Sequence, residues 1–164
     1  MRTQRLDRVA FHVEGEPAPG GSKSAFFHKH TGRIVVTDAG GKRTKQWRAL
    51  VATAARVAME AREVIAPPIG LTITFRMTRP ASHLTKSGAL RKGAPIVPIV
   101  RPDVTKLLRS TEDALTGIVW GDDAHICEQL IYRIYAHPDE PAGAHITAYH
   151  VELSQADGLA PEED

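Results

Sequence analysis

One long segment of this chain, residues 44–63, carries apolar side chains at helical spacing. Thr44 stands at its start, where a hydroxyl can cap a helix, and the breaker run 66–68 follows its end. An apolar stripe of this kind must be buried, so the chain has to supply a partner surface for it. The stripe consists of Trp47, Leu50, Val51, Ala54, Val57, Ala58 and Ala61.

Segments with strand-like alternation are the candidates for that surface. They lie before and after the predicted helix, and a second amphipathic helix, residues 104–117, interrupts them. The last two of these segments are predicted to be antiparallel strands joined through the run HPDEPAG. The predicted strands lie at 8–14, at 24–37 (two short strands joined by a turn), at 70–78, at 125–136 and at 144–153.

This order predicts an α/β domain with a mixed, largely antiparallel sheet and two main helices packed on it. The chain of 164 residues is long enough for one domain with a substantial core, which we expect over residues 1–153. Residues 79–101 are rich in proline and basic side chains and are predicted to be a long loop insertion. The acidic stretch 154–164 is predicted to be a flexible tail.

Composition narrows the cellular setting. Cys127 is the one cysteine, so no internal disulfide can form, and a reducing compartment is expected. The first sixteen residues lack the apolar run of a signal peptide, and no stretch approaches the roughly 18 apolar residues of a membrane span. We therefore expect a cytoplasmic protein with no membrane segment.

The net charge of +2 conceals a strong asymmetry along the chain. Residues 1–109 hold 20 of the 21 Lys and Arg and 7 of the 19 Asp and Glu, a net of +13, and residues 110–164 carry −11. Segregated charge of this size favours a basic face that meets a polyanion such as nucleic acid. The alternative is that folding intermixes the two halves and cancels the field.

Acidic residues bracket the second predicted helix. The stretch 101–126 reads RPDVTKLLRSTEDALTGIVWGDDAHI, with Asp103 at its start and the pair Asp122 and Asp123 near its end. Carboxylates beside basic residues suit Mg²⁺, which takes oxygen ligands and assists phosphodiester cleavage. Locally, Asp103 is equally suited to cap the helix and GDD to form a turn. Fourteen helical residues span about 21 Å, so the sequence leaves open whether the acids meet.

Helix geometry separates two other residues of this stretch. Asp113 lies ten residues beyond Asp103, about 15 Å along the axis, so the two cannot bind one ion within a subunit. Asp113 is better placed to pair with Arg109 at a spacing of four residues. Arg109 lies about 9 Å from Asp103, and its side chain leans back toward the helix start, where it can approach a bound phosphate.

The order of these residues resembles the core of the RusA family of Holliday junction resolvases, which occur in bacteria and their phages. The similarity covers residues 101–126, in the pattern PDxxxLLRxxxDALTGxxWxDDAxI, and the loop 79–101 is similar to additions in phage-type members. The resemblance implies a homodimeric, Mg²⁺-dependent endonuclease, with Mn²⁺ as an alternative ion. Such an enzyme binds four-way DNA junctions and nicks paired strands, in recombination and repair.

The resemblance also implies roles for individual residues. Asp103 and Asp123 match catalytic, metal-binding aspartates, and Arg109 matches the catalytic lysine. Asp122 and Asp113 match supporting acidic positions, and Asp122 is a further candidate metal ligand. One position departs from the pattern: Thr105 stands where the family has a second aspartate, which removes one negative charge from the implied site.

Basic residues on either side of the motif are the candidate DNA contacts. Two rival functions remain beside the nuclease. The first is a module of the same fold that binds DNA with weak or no catalysis, marked by Thr105. The second is an α/β domain that binds protein partners. The candidate contacts are Lys42, Arg43, Lys45, Arg48, Lys86, Arg91, Lys92, Arg101 and Lys106.

Overall fold

A computed structural model describes residues 7–21, 23–38 and 41–152, and its elements follow the predicted order. The predicted tail at 154–164 lies outside the described residues. Within those ranges, no helix has the length and apolar character needed to cross a membrane. The elements are β1 (Arg8–Glu14), β2 (Lys23–His28), β3 (Arg33–Asp38), α1 (Gly41–Met59), β4 (Ile69–Met77), α2 (Val104–Leu115), β5 (Ile126–Tyr135) and β6 (Gly143–His150).

Four strands form the main sheet in the order β1, β6, β4 and β5. β6 is antiparallel to both β1 and β4, whereas β4 and β5 run parallel. The predicted mixed, largely antiparallel sheet is therefore confirmed. β5 and β6 run in opposite directions as predicted, but they are not neighbours, because β4 lies between them. β2 and β3 pair separately as the predicted hairpin.

Both helices bury their apolar stripes in one core with alternate residues of the main sheet. α1 ends before the predicted residue 63, because Glu60 and Ala61 adopt positive φ angles of 49° and 59°. Leu50, Val57 and Ala61 were predicted to face inward and are exposed, since the buried stripe follows a strict four-residue spacing. The buried apolar residues of α1 are Trp47, Val51, Ala55 and Met59.

α2 is fixed to α1 at two points. The buried Trp47 indole donates a hydrogen bond to the Thr111 hydroxyl, with 3.1 Å between nitrogen and oxygen. At the surface, Arg48 and Asp113 form an ion pair at 2.5 Å. α2 ends where predicted: Gly117 follows the cap residue Thr116 with φ of 80°, a backbone conformation that favours glycine.

α2 also lies beside β5, and the two elements run antiparallel. The Gln129 side chain donates to the Glu112 carboxylate near the end of α2. At the other end, Arg133 donates to the Pro102 carbonyl oxygen, just before α2 begins. The end of β5 therefore lies at the start of α2, and the start of β5 lies at the end of α2.

The predicted insertion, residues 79–101, has little regular structure apart from a single helical turn at Ala81–His83. Arginine side chains hold its backbone against the domain. Arg79 donates to the Pro95 carbonyl oxygen at 2.7 Å, and Arg133 donates to that of Pro98 at 2.7 Å. The insertion is therefore anchored beside the end of β5, close to the start of α2.

Candidate functional site

Asp103 lies at the N-terminal end of α2, but its side chain does not cap the helix. Its backbone carbonyl oxygen accepts hydrogen bonds from the amides of Lys106 and Leu107 at 3.1 and 3.2 Å. The side chain is 59% exposed, and one carboxylate oxygen lies 3.7 Å from the Lys106 amino group. The local alternative, a side-chain cap, is therefore not used, and the carboxylate is available for a ligand.

A cavity of about 330 Å³ surrounds this carboxylate. Three cationic side chains from two parts of the chain converge there with two carboxylates. A cavity with this mixture suits a phosphate group bound together with a cation. Its lining residues are Glu16, Pro17, Pro19, Arg43, Met77, Arg101, Pro102, Asp103 and Lys106.

Glu16 is a cavity residue that the sequence did not reveal. It follows β1 in a run of glycine and proline residues, where no periodicity marks a functional side chain. Its carboxylate accepts a hydrogen bond from the Thr78 hydroxyl, just past the end of β4. The fold, and not the local pattern, brings Glu16 to the same cavity as Asp103.

The second predicted acidic group lies at the opposite end of α2. The Trp120 indole donates to one oxygen of Asp123 at 2.9 Å, and the Thr116 hydroxyl donates to the same oxygen. Asp122 accepts from the Ala124 amide at 2.8 Å and so caps the helical turn Asp123–His125. Both donors to Asp123 act on Oδ1, and its other oxygen has no hydrogen-bond partner in the described part of the chain.

The structure does not bring Asp103 and Asp123 together within one chain. Thr116, which holds Asp123, is thirteen residues beyond Asp103, a distance of about 20 Å along a helix. Across residues 7–21, 23–38 and 41–152, no three acidic, histidine or cysteine side chains are grouped so that they could hold a metal ion. A metal site that uses both aspartates requires a second chain.

Arg109 lies between these two ends, on the exposed side of α2. The predicted pair of Arg109 with Asp113 was wrong, because Asp113 instead pairs with Arg48 across the two helices. The sequence could not reveal this partner, since the two residues are 65 positions apart. Arg48 is thus held in an ion pair, and its predicted contact with DNA remains a prediction.

Glu112 is a second functional candidate that the sequence did not single out. It lies one turn before Thr116, on the side of α2 that faces β5. Burial, and next the negative charge of Asp123, raise the pKa of Glu112 to about 7. Near Asp123 there is therefore another carboxyl group, that of Glu112, and it gains or loses its proton near neutral pH.

The remaining predicted DNA contacts lie in two exposed groups. Lys42 and Lys45 flank Arg43 in the first turns of α1, beside the cavity. A second group, Lys86, Arg91 and Lys92, lies in the anchored insertion. Among the described residues, ion pairs that join the two charged halves are Arg76 with Glu140 at 3.8 Å and Arg48 with Asp113 between the helices.

A carboxylate in a basic cavity, carried on a mixed α/β domain, suits a protein that acts on a phosphodiester backbone. Comparison with known families makes the class specific, because the model described as endodeoxyribonuclease RusA matches residues 15–147. The chain belongs to the RusA family of endodeoxyribonucleases, whose members resolve Holliday junctions. An uncharacterized protein of Bacillus subtilis, YqaN, is 26% identical over 139 residues, which cover 83% of this chain and 92% of YqaN.

Proposed function

We propose that this protein is a Mg²⁺-dependent, structure-selective endonuclease that resolves four-way DNA junctions by paired nicks. The observation that carries this proposal is the Asp103 carboxylate, which does not cap α2 and lies in a cavity lined by Arg43, Arg101 and Lys106. Membership of the RusA family supports the same activity. Manganese is expected to replace magnesium, because it also takes oxygen ligands.

The donor set fits a hard divalent cation. Asp103 and Asp123 each keep an oxygen that the fold does not engage, and Asp122 adds a third carboxylate close to Asp123. Mg²⁺ bound there would activate water and neutralise the charge that develops on the leaving oxygen. Because the two ends of α2 are about 20 Å apart, the site is composed of Asp103 from one subunit and Asp123 from the other. The active form is therefore a homodimer.

The basic residues carry out the remaining steps. Arg43, Arg101 and Lys106 orient the DNA backbone in the cavity through contacts to phosphate. Arg109 brings a guanidinium group to the scissile phosphate and stabilises the negative charge there without a proton transfer. Lys42, Lys45 and the group Lys86, Arg91 and Lys92 add sequence-independent contacts along the arms of the junction.

Salt dependence tests the proposed DNA contacts. With about six phosphate contacts, affinity for a four-way junction is expected to fall by about 10³-fold between 50 and 200 mM salt. Fluorescence anisotropy of a labelled junction measures this slope. Replacing Lys86, Arg91 and Lys92 with alanine is expected to reduce the slope by about three, whereas alanine at Arg62, which pairs with Glu60, leaves it unchanged. A flat response in the wild type would contradict the proposal.

Thr105 bears on how well the site holds its ion. A hydroxyl is a poorer Mg²⁺ ligand than a carboxylate, so Thr105→Asp is expected to lower the Mg²⁺ concentration for half-maximal nicking by about 10-fold. Thr105→Asn is the neutral control of similar size. Calorimetric titration with Mn²⁺, without DNA, measures the ion directly. An unchanged titration would show that Asp122, or water held by Thr105, already replaces the missing carboxylate.

Thr105 also favours one alternative function. A member that lacks a metal-binding carboxylate can keep the fold and bind junctions without cleaving them. This alternative predicts tight junction binding together with no Mg²⁺-dependent nicking by the wild type. Nicking that appears only in Thr105→Asp would establish it.

A further inference from the structure

Residues 96–100, near the end of the insertion, form an exposed apolar segment. Ile96, Val97, Ile99 and Val100 keep 74%, 51%, 94% and 61% of their accessible surface. Single apolar side chains on a protein surface are ordinary, but a contiguous exposed group marks a binding surface. The DNA contacts described above are all cationic, so they leave this apolar segment without a role.

The backbone of the apolar segment is anchored, although its side chains are exposed. Arginine side chains donate to the carbonyl oxygens of Pro95 and Pro98, at 2.7 Å in each case. The Tyr135 amide donates to the carbonyl oxygen of Ile96 at 2.8 Å, and Pro98 is buried between the exposed residues. Because the fold already holds this backbone in place, little conformational freedom is left to lose when a ligand binds.

Cationic side chains flank the apolar segment on both sides along the chain. Arg91 and Lys92 precede it, Arg101 follows it directly, and all three are exposed. Arg101 also lines the cavity that surrounds the Asp103 carboxylate, so the apolar segment leads into the candidate site. A ligand that covers the apolar segment therefore has to present apolar surface and negative charge close together.

Branched DNA presents both at its crossing point. In a continuous duplex the flat apolar faces of the bases are covered by stacking, and uncovering them costs free energy at every step. Where the arms meet, the stack is interrupted, so base faces are exposed at lower cost beside the phosphates of two arms. A second copy of the chain fits less well, because the same face would bring the same positive charges together.

We propose that residues 96–100 are a wedge that places Ile99 and Val100 against the base faces at the crossing point of branched DNA. Apolar side chains inserted between bases in this way unstack them and bend the helix. Arg91 and Lys92 hold the phosphates of one arm, and Arg101 holds the strand that enters the cavity. The inference rests on the proposed function and extends it, because it assigns the preference for branched DNA to particular side chains.

Fluorescence of the base analogue 2-aminopurine, which increases when the base is unstacked, tests the wedge directly. The probe is a four-way junction with the analogue at the crossing point, in EDTA so that no strand is nicked. Saturating wild type is expected to raise the fluorescence at least about 2-fold, and to leave an analogue in the middle of an arm unchanged. The double variant Ile99→Ser with Val100→Ser is expected to abolish the rise at saturation. A rise that the double variant retains would overturn the wedge.

Competition binding in EDTA provides the second measurement. The double serine variant is expected to bind the junction about 10-fold more weakly and a continuous duplex as tightly as the wild type does, because its phosphate contacts remain. Ile99→Leu with Val100→Leu keeps the apolar surface and is expected to retain junction affinity. Val57→Ser with Val64→Ser, at exposed positions outside the insertion, is the matched control and is expected to change neither affinity. Equal weakening on junction and duplex would contradict a role at the crossing point.

Sedimentation equilibrium without DNA distinguishes the wedge from a contact between copies of the chain. The double serine variant is expected to sediment as the wild type does, because the wedge meets DNA and not protein. A shift of this variant toward monomer would assign the apolar segment to a second copy and overturn the wedge.

These outcomes separate the wedge from the nuclease. A wild type that nicks junctions but gives no fluorescence rise at the crossing point overturns the wedge and leaves the nuclease. A wild type that gives the rise, with a double serine variant that loses it, supports the wedge even if the wild type never nicks in Mg²⁺ or Mn²⁺, a result that overturns the nuclease alone.

Discussion

A heterodimer of two inactive subunits is expected to cut junction DNA. Asp103→Asn and Asp123→Asn are each expected to reduce nicking by at least about 100-fold as homodimers, because each removes a metal ligand from both sites. When one subunit of each kind is combined, the intact Asp103 of one and the intact Asp123 of the other form one complete site. A site contained within a single chain could not be restored in this way.

Two affinity tags allow the heterodimer to be purified, and its products are resolved on a native gel. It is expected to nick at about half the wild-type rate per dimer, because one of two sites is intact. The heterodimer should yield junctions with a single nick, and not the two separate duplexes that paired nicks produce. Both variants keep the fold, since the Asp103 side chain makes no capping bond and asparagine can still accept from Trp120 and Thr116. A heterodimer as inactive as its parents would contradict the composite site.

Trp120→Ala is expected to lower the free energy of unfolding by about 3–5 kcal/mol. The side chain is fully buried, so its removal leaves a cavity beside the end of α2. It also removes the indole donor to Asp123. Urea unfolding followed by circular dichroism measures the loss. A loss below about 1 kcal/mol would show that the surroundings collapse into the space, and that Trp120 does not hold this end of the core.

A pair of phenylalanine variants separates stability from function. Trp120→Phe keeps most of the buried surface and loses the hydrogen bond to the Asp123 carboxylate. Trp47→Phe is the matched control: Trp47 is also buried, but its indole donates to the neutral Thr111 hydroxyl and not to a candidate metal ligand. Both are expected to lower stability moderately, and only Trp120→Phe is expected to reduce nicking. Equal activity in the two variants would show that the indole does not orient Asp123.

Local patterns in the sequence identified much of the fold. The apolar stripe of α2, its glycine stop at Gly117 and the hairpin β2–β3 follow from side-chain period and turn residues. The position of β4 between β5 and β6 did not follow, because strand pairing is decided by contacts between segments far apart in sequence.

The residues of the candidate site likewise fall into those that the sequence identified and those that it did not. The motif order identified Asp103, Arg109 and Asp123 as candidates and placed them at the start of one helix, within it and past its end. It gave no sign of Glu16, which reaches the cavity from the end of β1, or of Arg48 as the partner of Asp113. Contacts of this kind depend on how α1 and β1 pack against α2, and no local period records them.

The length of α2 has a protective effect under the proposed arrangement. A lone subunit carries its two key aspartates too far apart to cut anything, so a newly made chain is harmless to the DNA around it. Cutting activity then rises with the square of subunit concentration while dimers are scarce. Each assembled dimer acquires both catalytic sites together, which favours paired nicks over a nick in one strand.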